Sequence, residues 1–107
     1  KIGTNVDKYH FFVSREHIPQ KVDIINEKID TEDDFITSRI MWLDGLNEGY
    51  NKGLNVDSYK RFIYIHGTHE EGLIGEKASH GCIRMLNHDV LELYELIPEE
   101  TTVNIYL

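Results

Sequence analysis

Two short segments of the sequence hold the residues best suited to chemistry, IHGT at residues 65–68 and SHGCIRM at residues 79–85. The second contains Cys82, the one cysteine of the chain, and the first contains His66 at the end of a predicted strand. A thiol beside an imidazole that a strand holds in place can act as an activated nucleophile. Gly81 lets the backbone approach a substrate closely, as an oxyanion hole requires.

Cys82 has three interpretations at this stage. A lone cysteine cannot form an intrachain disulfide, so it is a catalytic nucleophile, an inert structural thiol or a metal ligand. We expect its position before a predicted helix, together with the positive charge of Arg84, to favour the thiolate. The metal alternative is a zinc-binding module built from an H-x2-H pair and an H-x-C pair. Its four ligands would be His66, His69, His80 and Cys82.

Alternating and β-branched residues predict the strands that must position these side chains. The predicted strands are residues 9–13, 35–43, 61–66 and 102–107. A helix is predicted over residues 88–97, with Asn87 as its N-cap and Pro98 at its end. The crossover helices that a parallel α/β sheet requires are missing from this pattern, so we predict a mainly β, antiparallel domain.

The charge of the chain excludes several classes of partner. It has 19 acidic and 11 basic side chains and a formal net charge of -8, whereas non-specific binding to nucleic acid depends on Lys and Arg. No apolar run approaches the roughly 18 residues of a membrane span. We therefore expect one domain over residues 1–107 that binds neither nucleic acid nor an anionic membrane surface and has no membrane span.

The two chemical segments together resemble the signature of the L,D-transpeptidase catalytic domain, which has the YkuD-type fold. That family has a histidine in an HGT-like segment, followed after a gap by Ser/Thr-His-Gly-Cys, an apolar residue and Arg or Asn. The spacing of His66 and Cys82 suits this pattern. The resemblance extends over residues 35–107 and includes the strand ITSRIMWL and the helix DVLELYELI, whereas residues 1–34 match weakly.

The resemblance implies an enzyme of peptidoglycan that needs no cofactor. In this family a cysteine attacks the third residue of a donor tetrapeptide stem, expels the terminal D-Ala and leaves a thioester. When the acceptor is an amine of another stem, the product is a 3→3 cross-link. With water as the acceptor the enzyme would be an L,D-carboxypeptidase, and with a lysine as the acceptor it would anchor a wall protein. The implied partners are peptidoglycan peptide stems, and a lysine-bearing wall-anchored protein is a further candidate. The implied location is the cell envelope, on the periplasmic side.

Carried over residue by residue, the resemblance assigns Cys82 as the nucleophile and His66 as the general base and acid. It implies two further groups of site residues. Gly81, His80 and Ser79 form the oxyanion loop, and Arg84, Thr68 and Gly67 contact the substrate.

One departure from the family concerns the first residues. The family has earlier strands and a Thr-Pro-x-Gly segment, and nothing similar precedes Lys1. The resemblance therefore implies an antiparallel β-sandwich or sheet with one short helix after the cysteine loop, N-terminally incomplete. A non-catalytic envelope fragment that keeps the motif is the remaining alternative, beside the zinc-binding module.

Overall fold

The computed structural model describes residues 1–31, 34–77 and 81–106. A five-stranded sheet forms its centre, with the strand order β2-β1-β3-β4-β5. The elements are β1 (His10–Val13), β2 (Glu16–Lys21), β3 (Ile36–Trp42), β4 (Tyr64–Thr68), β5 (Ile83–Met85) and α1 (Asn87–Leu96). Two short 3-10 helices, Leu54–Val56 and Glu71–Leu73, lie in the loops. The predicted mainly β class with one short helix after the cysteine loop is confirmed for the described residues.

The sheet is mixed rather than wholly antiparallel. The neighbours β2-β1, β1-β3 and β3-β4 are antiparallel, as predicted, but β5 runs parallel to β4. A parallel neighbour needs a long connection that returns the chain to the start of the previous strand. The described residues of this connection, 69–77, 81 and 82, contain no α-helix, so the pattern of predicted helices did not reveal it.

Two of the predicted strands, residues 61–66 and 102–107, differ most from the structure. β4 begins at Tyr64 rather than at residue 61, because residues 61–63 belong to a turn in which the Asp57 carboxylate accepts hydrogen bonds from the Gly53 and Lys60 N–H groups. Residues 102–106 form no strand, and Leu107 lies outside the described residues. This segment has the alternation of a strand but pairs with none of the described strands, and a strand exists only where a neighbour accepts its hydrogen bonds.

The sheet separates two apolar clusters. On one face, the α1 residues Val90 and Tyr94 pack against Met41 and Ile65 of the central strands. The opposite face carries a second cluster whose buried members are Phe12, Ile40 and Tyr64. Helix α1 therefore covers one face, and the functional segments are displayed on the other.

Asn87 connects α1 to the sheet. It was predicted to be the helix N-cap, but that position belongs to Leu86, and Asn87 is the first residue of α1 and is fully buried. Its Oδ1 accepts hydrogen bonds from the hydroxyls of Thr37 (2.5 Å) and Ser38 (2.6 Å). Adjacent strand residues normally point to opposite faces. Both can reach Asn87 because the β3 register shifts here and Ser38 has a φ of 67°.

The other end of the Asn87 side chain fixes β4. Its Nδ2 donates to the Thr68 carbonyl (2.8 Å) and to the Glu71 carboxylate (2.9 Å). The Oδ1 atom lies only 2.6 Å from where a Cβ on Gly67 would be. Residue 67 must therefore be glycine, because any larger side chain would displace the Asn87 side chain that joins α1, β3 and β4.

Replacement of Asn87 by alanine tests this connection. Asn87→Ala leaves the buried hydroxyls of Thr37 and Ser38 without their acceptor and the Thr68 carbonyl without the amide donor, so we expect a loss of about 2–4 kcal/mol in the free energy of unfolding. Urea unfolding followed by circular dichroism measures it. Asn104→Ala, at an exposed position, is the matched control and should change stability by less than about 0.5 kcal/mol. Equal effects of the two substitutions would contradict the proposed connection.

Candidate active site

The parallel pairing of β4 with β5 brings the two chemical segments together. His66 lies opposite Arg84 in this pairing and opposite Ile40 in the antiparallel pairing with β3. Residues in register share a face, and alternate residues of one strand do so too. Cys82 precedes Arg84 by two residues and packs against Tyr64 and Ile40 in the second apolar cluster. Cys82 and His66 therefore lie on the same face of the sheet.

The Cys82 thiol is held by the backbone of the neighbouring strand. Its Sγ accepts a hydrogen bond from the Tyr64 N–H (3.4 Å) and donates one to the Phe62 carbonyl (3.3 Å). Phe62 has a φ of 58°, a left-handed conformation that is uncommon for a bulky residue. This backbone conformation belongs to the turn that ends at β4 and sets the direction of the carbonyl that meets the thiol.

Cys82 also forms part of the wall of a cavity of about 390 Å³. Gly81 lies beside it with a φ of 141°, a conformation that L-residues rarely adopt, so glycine is favoured here. The cavity is also lined by residues 73–77, which begin at the last residue of the second 3-10 helix. A ligand in this cavity would therefore be in contact with the thiol and with the backbone at Gly81.

The structure contradicts the expected thiolate. Burial raises the pKa of the Cys82 thiol, the Tyr64 N–H opposes this, and the negative charge of Asp34 raises it further. The helix does not begin until Asn87, beyond the whole of β5. Arg84 is not among the groups that lower the pKa of this thiol, and its guanidinium pairs with Glu70 and Asp34. The resting group is the thiol.

His66 is buried, with 1% of its surface exposed. Its Nδ1 lies 2.5 Å from the Gly67 carbonyl oxygen, and because a carbonyl only accepts, Nδ1 carries the hydrogen. Nε2 then holds the lone pair. Burial lowers the pKa of His66, although the Gly67 carbonyl and Asp34 act in the opposite direction. The imidazole is therefore neutral at physiological pH, in the tautomer that can accept a proton at Nε2.

Arg84 is fixed in a buried ion-pair network. Its Nη2 donates to the Thr68 hydroxyl (2.9 Å), pairs with the Glu70 carboxylate and lies 3.3 Å from Asp34 Oδ1. Only 8% of the Arg84 side chain is exposed. A substrate carboxylate could bind this guanidinium only in competition with two protein carboxylates. The substrate contact predicted for Arg84 stays a prediction.

Glu70 anchors this network and was not recognised in the sequence. Burial alone would raise the pKa of Glu70, but hydrogen bonds from Thr31 and Arg84 outweigh it and lower the pKa. Thr31 donates both its N–H (2.5 Å) and its hydroxyl (2.8 Å) to Glu70 Oε2. A glutamate in a loop carries no sequence signal of burial, since its partners at residues 31 and 84 are distant in the chain.

The other predicted site residues differ in their surroundings. Thr68 is fully buried and its hydroxyl accepts from Arg84 and from the Glu70 N–H, while Gly67 lies beneath Asn87. Their predicted substrate contacts stay predictions. Ser79 and His80, predicted for the oxyanion loop, lie outside the described residues.

The zinc alternative gains no support. Within the described ranges, no group of three or more His, Cys, Asp or Glu side chains could hold a metal ion. His69 directs its Nε2 to the Thr31 hydroxyl (3.1 Å) and packs edge-on against Phe35. His69 lies in the bend after the end of β4, whereas His66 lies within the strand.

Comparison with known proteins agrees with this geometry. The family description of the L,D-transpeptidase catalytic domain, YkuD, matches residues 3–105. The chain belongs to the L,D-transpeptidase (YkuD) family. The match spans nearly the whole sequence, including residues 3–34, where the resemblance had been weak.

Individual relatives match a shorter stretch. The L,D-transpeptidase-type protein YkuD of Bacillus licheniformis is 50% identical over 46 residues, which are 43% of this chain and 28% of the relative. YkuD of Bacillus subtilis is 48% identical over 46 residues, again 43% and 28% of the two chains. YbiS of Escherichia coli, also named as an L,D-transpeptidase, is 44% identical over 43 residues, or 40% of this chain and 14% of the relative.

The alignments thus span less than a third of each of these relatives. No solved structure matches the chain significantly. The described part of the chain contains no helix that is both long and apolar enough to cross a membrane.

The protonation of Cys82 can be measured by alkylation. Since burial raises the pKa of the thiol, a smaller fraction is thiolate at neutral pH than in the unfolded chain. We expect iodoacetamide to alkylate the folded protein with a half-maximal pH above that of the same protein in urea, whose thiol titrates near about 8.5. Rapid alkylation of the folded protein at pH 6–7 would instead indicate a resting thiolate and would refute the neutral pair.

Proposed function

We propose that this chain is the catalytic part of a peptidoglycan L,D-transpeptidase in which Cys82 is the nucleophile and His66 the general base and acid. The observation that carries the proposal is the placement of Cys82 and His66 on one face of the β4-β5 pair, with the thiol at a cavity wall. Membership of the L,D-transpeptidase family supports the reaction class.

The neutral state of both groups suits general-base catalysis. Burial disfavours an imidazolium–thiolate pair in the resting protein, because it lowers the pKa of His66 and raises that of Cys82. The proton therefore moves from Sγ to Nε2 of His66 as the sulfur attacks a bound carbonyl. The Gly67 carbonyl stabilises the imidazolium that forms, because it accepts from Nδ1.

Acyl transfer proceeds in two attacks on the same carbonyl carbon. Sγ bonds to the carbonyl carbon of the third residue of a donor tetrapeptide, and the carbonyl π electrons move to the oxygen. Collapse of this intermediate breaks the C–N bond to the terminal D-Ala, whose amine takes the proton from His66, and a thioester on Cys82 remains. An acceptor amine attacks the thioester, gives a proton back through His66 and releases the thiol as the new amide forms.

The oxyanion of the tetrahedral intermediate needs fixed donors. The N–H groups of Gly81 and Cys82 are the candidates, because they lie at the cavity where the carbonyl must sit. His80 and Ser79 belong to the same proposed loop. The acceptor is the amine of a second stem in 3→3 cross-linking, water in an L,D-carboxypeptidase reaction, or a lysine of a wall-anchored protein.

The substrate determines the location and the biological role. Peptide stems are reached outside the cytoplasm, so we infer a site of action in the cell envelope, in the periplasm of a cell with an outer membrane. Its role would be in peptidoglycan biosynthesis, cell wall organisation and cell shape.

A carbapenem tests the nucleophile. The ring carbonyl replaces the stem carbonyl, and attack by Sγ opens the ring and leaves a stable thioester on Cys82. We expect intact-mass spectrometry to show one covalent adduct on the wild-type chain, little with a penicillin, and none on Cys82→Ser. A folded wild-type protein that forms no adduct and releases no D-Ala from a tetrapeptide stem would refute the proposal.

Substitution of His66 tests the base. A general base contributes roughly 10²–10⁴-fold, so we expect His66→Ala to lose about that factor in the carbapenem acylation rate near pH 7. Because hydroxide can replace the base, the loss should shrink as the pH rises toward that of thiol ionisation. His80→Ala should lose less and show no such rescue.

His88→Ala is the matched control, since His88 is exposed at the start of α1 and pairs with Asp89. It should acylate at the wild-type rate, and circular dichroism should show all variants folded. A large, alkali-rescued defect in His80→Ala but not in His66→Ala would reverse the assignment of the base.

A further inference from the structure

Arg15 reaches the Cys82 site from the opposite end of the sequence. It lies in the two-residue turn between β1 and β2, where Val13 pairs with Glu16 and where both turn residues, Ser14 (φ 48°) and Arg15 (φ 76°), are left-handed. A turn of this type gives a tight hairpin that follows the twist of the strands. The hairpin directs Arg15 across β3, and its Nη1 donates to the Tyr64 hydroxyl at 2.9 Å.

Aromatic rings fix the position of this guanidinium. Arg15 Cζ lies 4.7 Å from the ring centre of Phe62 and 5.2 Å from that of Trp42. Trp42 is itself stacked on Tyr59, with ring centres 4.0 Å apart. Contact with ring faces favours a cation without neutralising it. Arg15 is thus held in one position with its charge intact.

Two of the residues that Arg15 touches also hold the nucleophile. The Phe62 carbonyl and the Tyr64 N–H are the hydrogen-bond partners of Cys82 Sγ. Arg15 approaches from the β1 side of these residues, whereas the cavity beside Cys82 is walled by residues 73–77, Gly81 and Arg84 on the β5 side. A peptide bound with its reacting carbonyl at Cys82 Sγ would have one part in the cavity. The part that lies outside the cavity can therefore extend toward the Arg15 guanidinium.

Arg15 differs from Arg84 in its electrostatics. The chain has a formal net charge of -8, yet none of the carboxylates in the described ranges forms an ion pair with Arg15. Arg84, the arginine nearest to Cys82 in sequence, has two such partners, Glu70 and Asp34. An arginine fork that is held in place and not neutralised by the protein matches the geometry of a carboxylate.

We propose that Arg15 is the carboxylate-binding residue of the donor site and determines specificity for a stem peptide with a free carboxylate. The inference rests on the proposed function, because the donor tetrapeptide is the peptide concerned. Two carboxylates of that donor flank the attacked carbonyl, the terminal one of D-Ala and the distal one of a third-position diaminopimelate. Both offer the same chemistry to a guanidinium.

Calorimetric binding to the Cys82→Ala chain separates recognition from catalysis. The probes are a tetrapeptide stem with both carboxylates free, the same peptide amidated at the C-terminus, and the same peptide amidated on diaminopimelate. We expect Arg15→Gln to weaken binding of the free peptide by about 10- to 100-fold, the usual range for a hydrogen bond to a charged group. The peptide amidated at the carboxylate that Arg15 binds should bind equally to both proteins, which identifies that carboxylate.

Two further variants control for charge and for folding. Lys21→Gln removes one positive charge from the exposed end of the same hairpin and should bind all three peptides like the parent chain. Arg15→Lys keeps the charge but loses the planar fork, so its loss should be intermediate. Circular dichroism establishes that each variant is folded.

Equal binding of the free peptide by Arg15→Gln and its parent overturns the inference, as does failure of the parent to bind any of the three peptides. Release of D-Ala by the chain that retains Cys82, without dependence on Arg15, refutes the role of Arg15 and leaves the proposed function intact. Absence of both D-Ala release and carbapenem acylation refutes the proposed function itself.

Discussion

The site depends on a parallel pairing between β4 and β5 that is only three residues long. So short a ladder cannot fix its own register, and a shift by one residue would turn Cys82 to the face covered by α1. Buried polar side chains on either side of β4 maintain the register. Arg84 is tied to Thr68 and Glu70 on one face, and Asn87 joins the Thr68 carbonyl to the β3 bulge on the other. Correct placement of the thiol thus follows from hydrogen bonds that are costly to leave unmade.

Burial shifts the pKa values of Cys82 and His66 in opposite directions. It disfavours the charged form of each, which lowers the pKa of His66 and raises that of Cys82. Burial therefore favours a neutral thiol and a neutral imidazole in the resting protein. The same low polarity strengthens the hydrogen bond from His66 Nδ1 to the Gly67 carbonyl, which holds the ring in the tautomer with its lone pair on Nε2.

The sequence predicted those features that depend on local pattern. Alternation located β3 and the helical repeat located α1, while the types and spacing of His66 and Cys82 located the candidate site.

Features that depend on long-range contacts were not predicted. The parallel direction of β5 depends on how residues 69–82 cross, and the role of Asn87 depends on a bulge in β3 fifty positions earlier. Residues 102–106 alternate like a strand, but no described neighbour pairs with them. Arg15 carried no signal, because a turn without glycine or asparagine is not recognised as a hairpin.

The two arginines near Cys82 illustrate why residue type alone does not assign a role. Arg84 lies in the motif, and its guanidinium pairs with the carboxylates of Glu70 and Asp34. Arg15 lies in the weakly matched part of the sequence, yet ring faces and one neutral hydroxyl hold it while its charge persists. Although the chain has a net charge of -8, none of the carboxylates within the described ranges forms an ion pair with Arg15. The aromatic rings at the hairpin contact the guanidinium without supplying an opposite charge. Of these two arginines, the one that pairs with no described carboxylate therefore lies outside the motif.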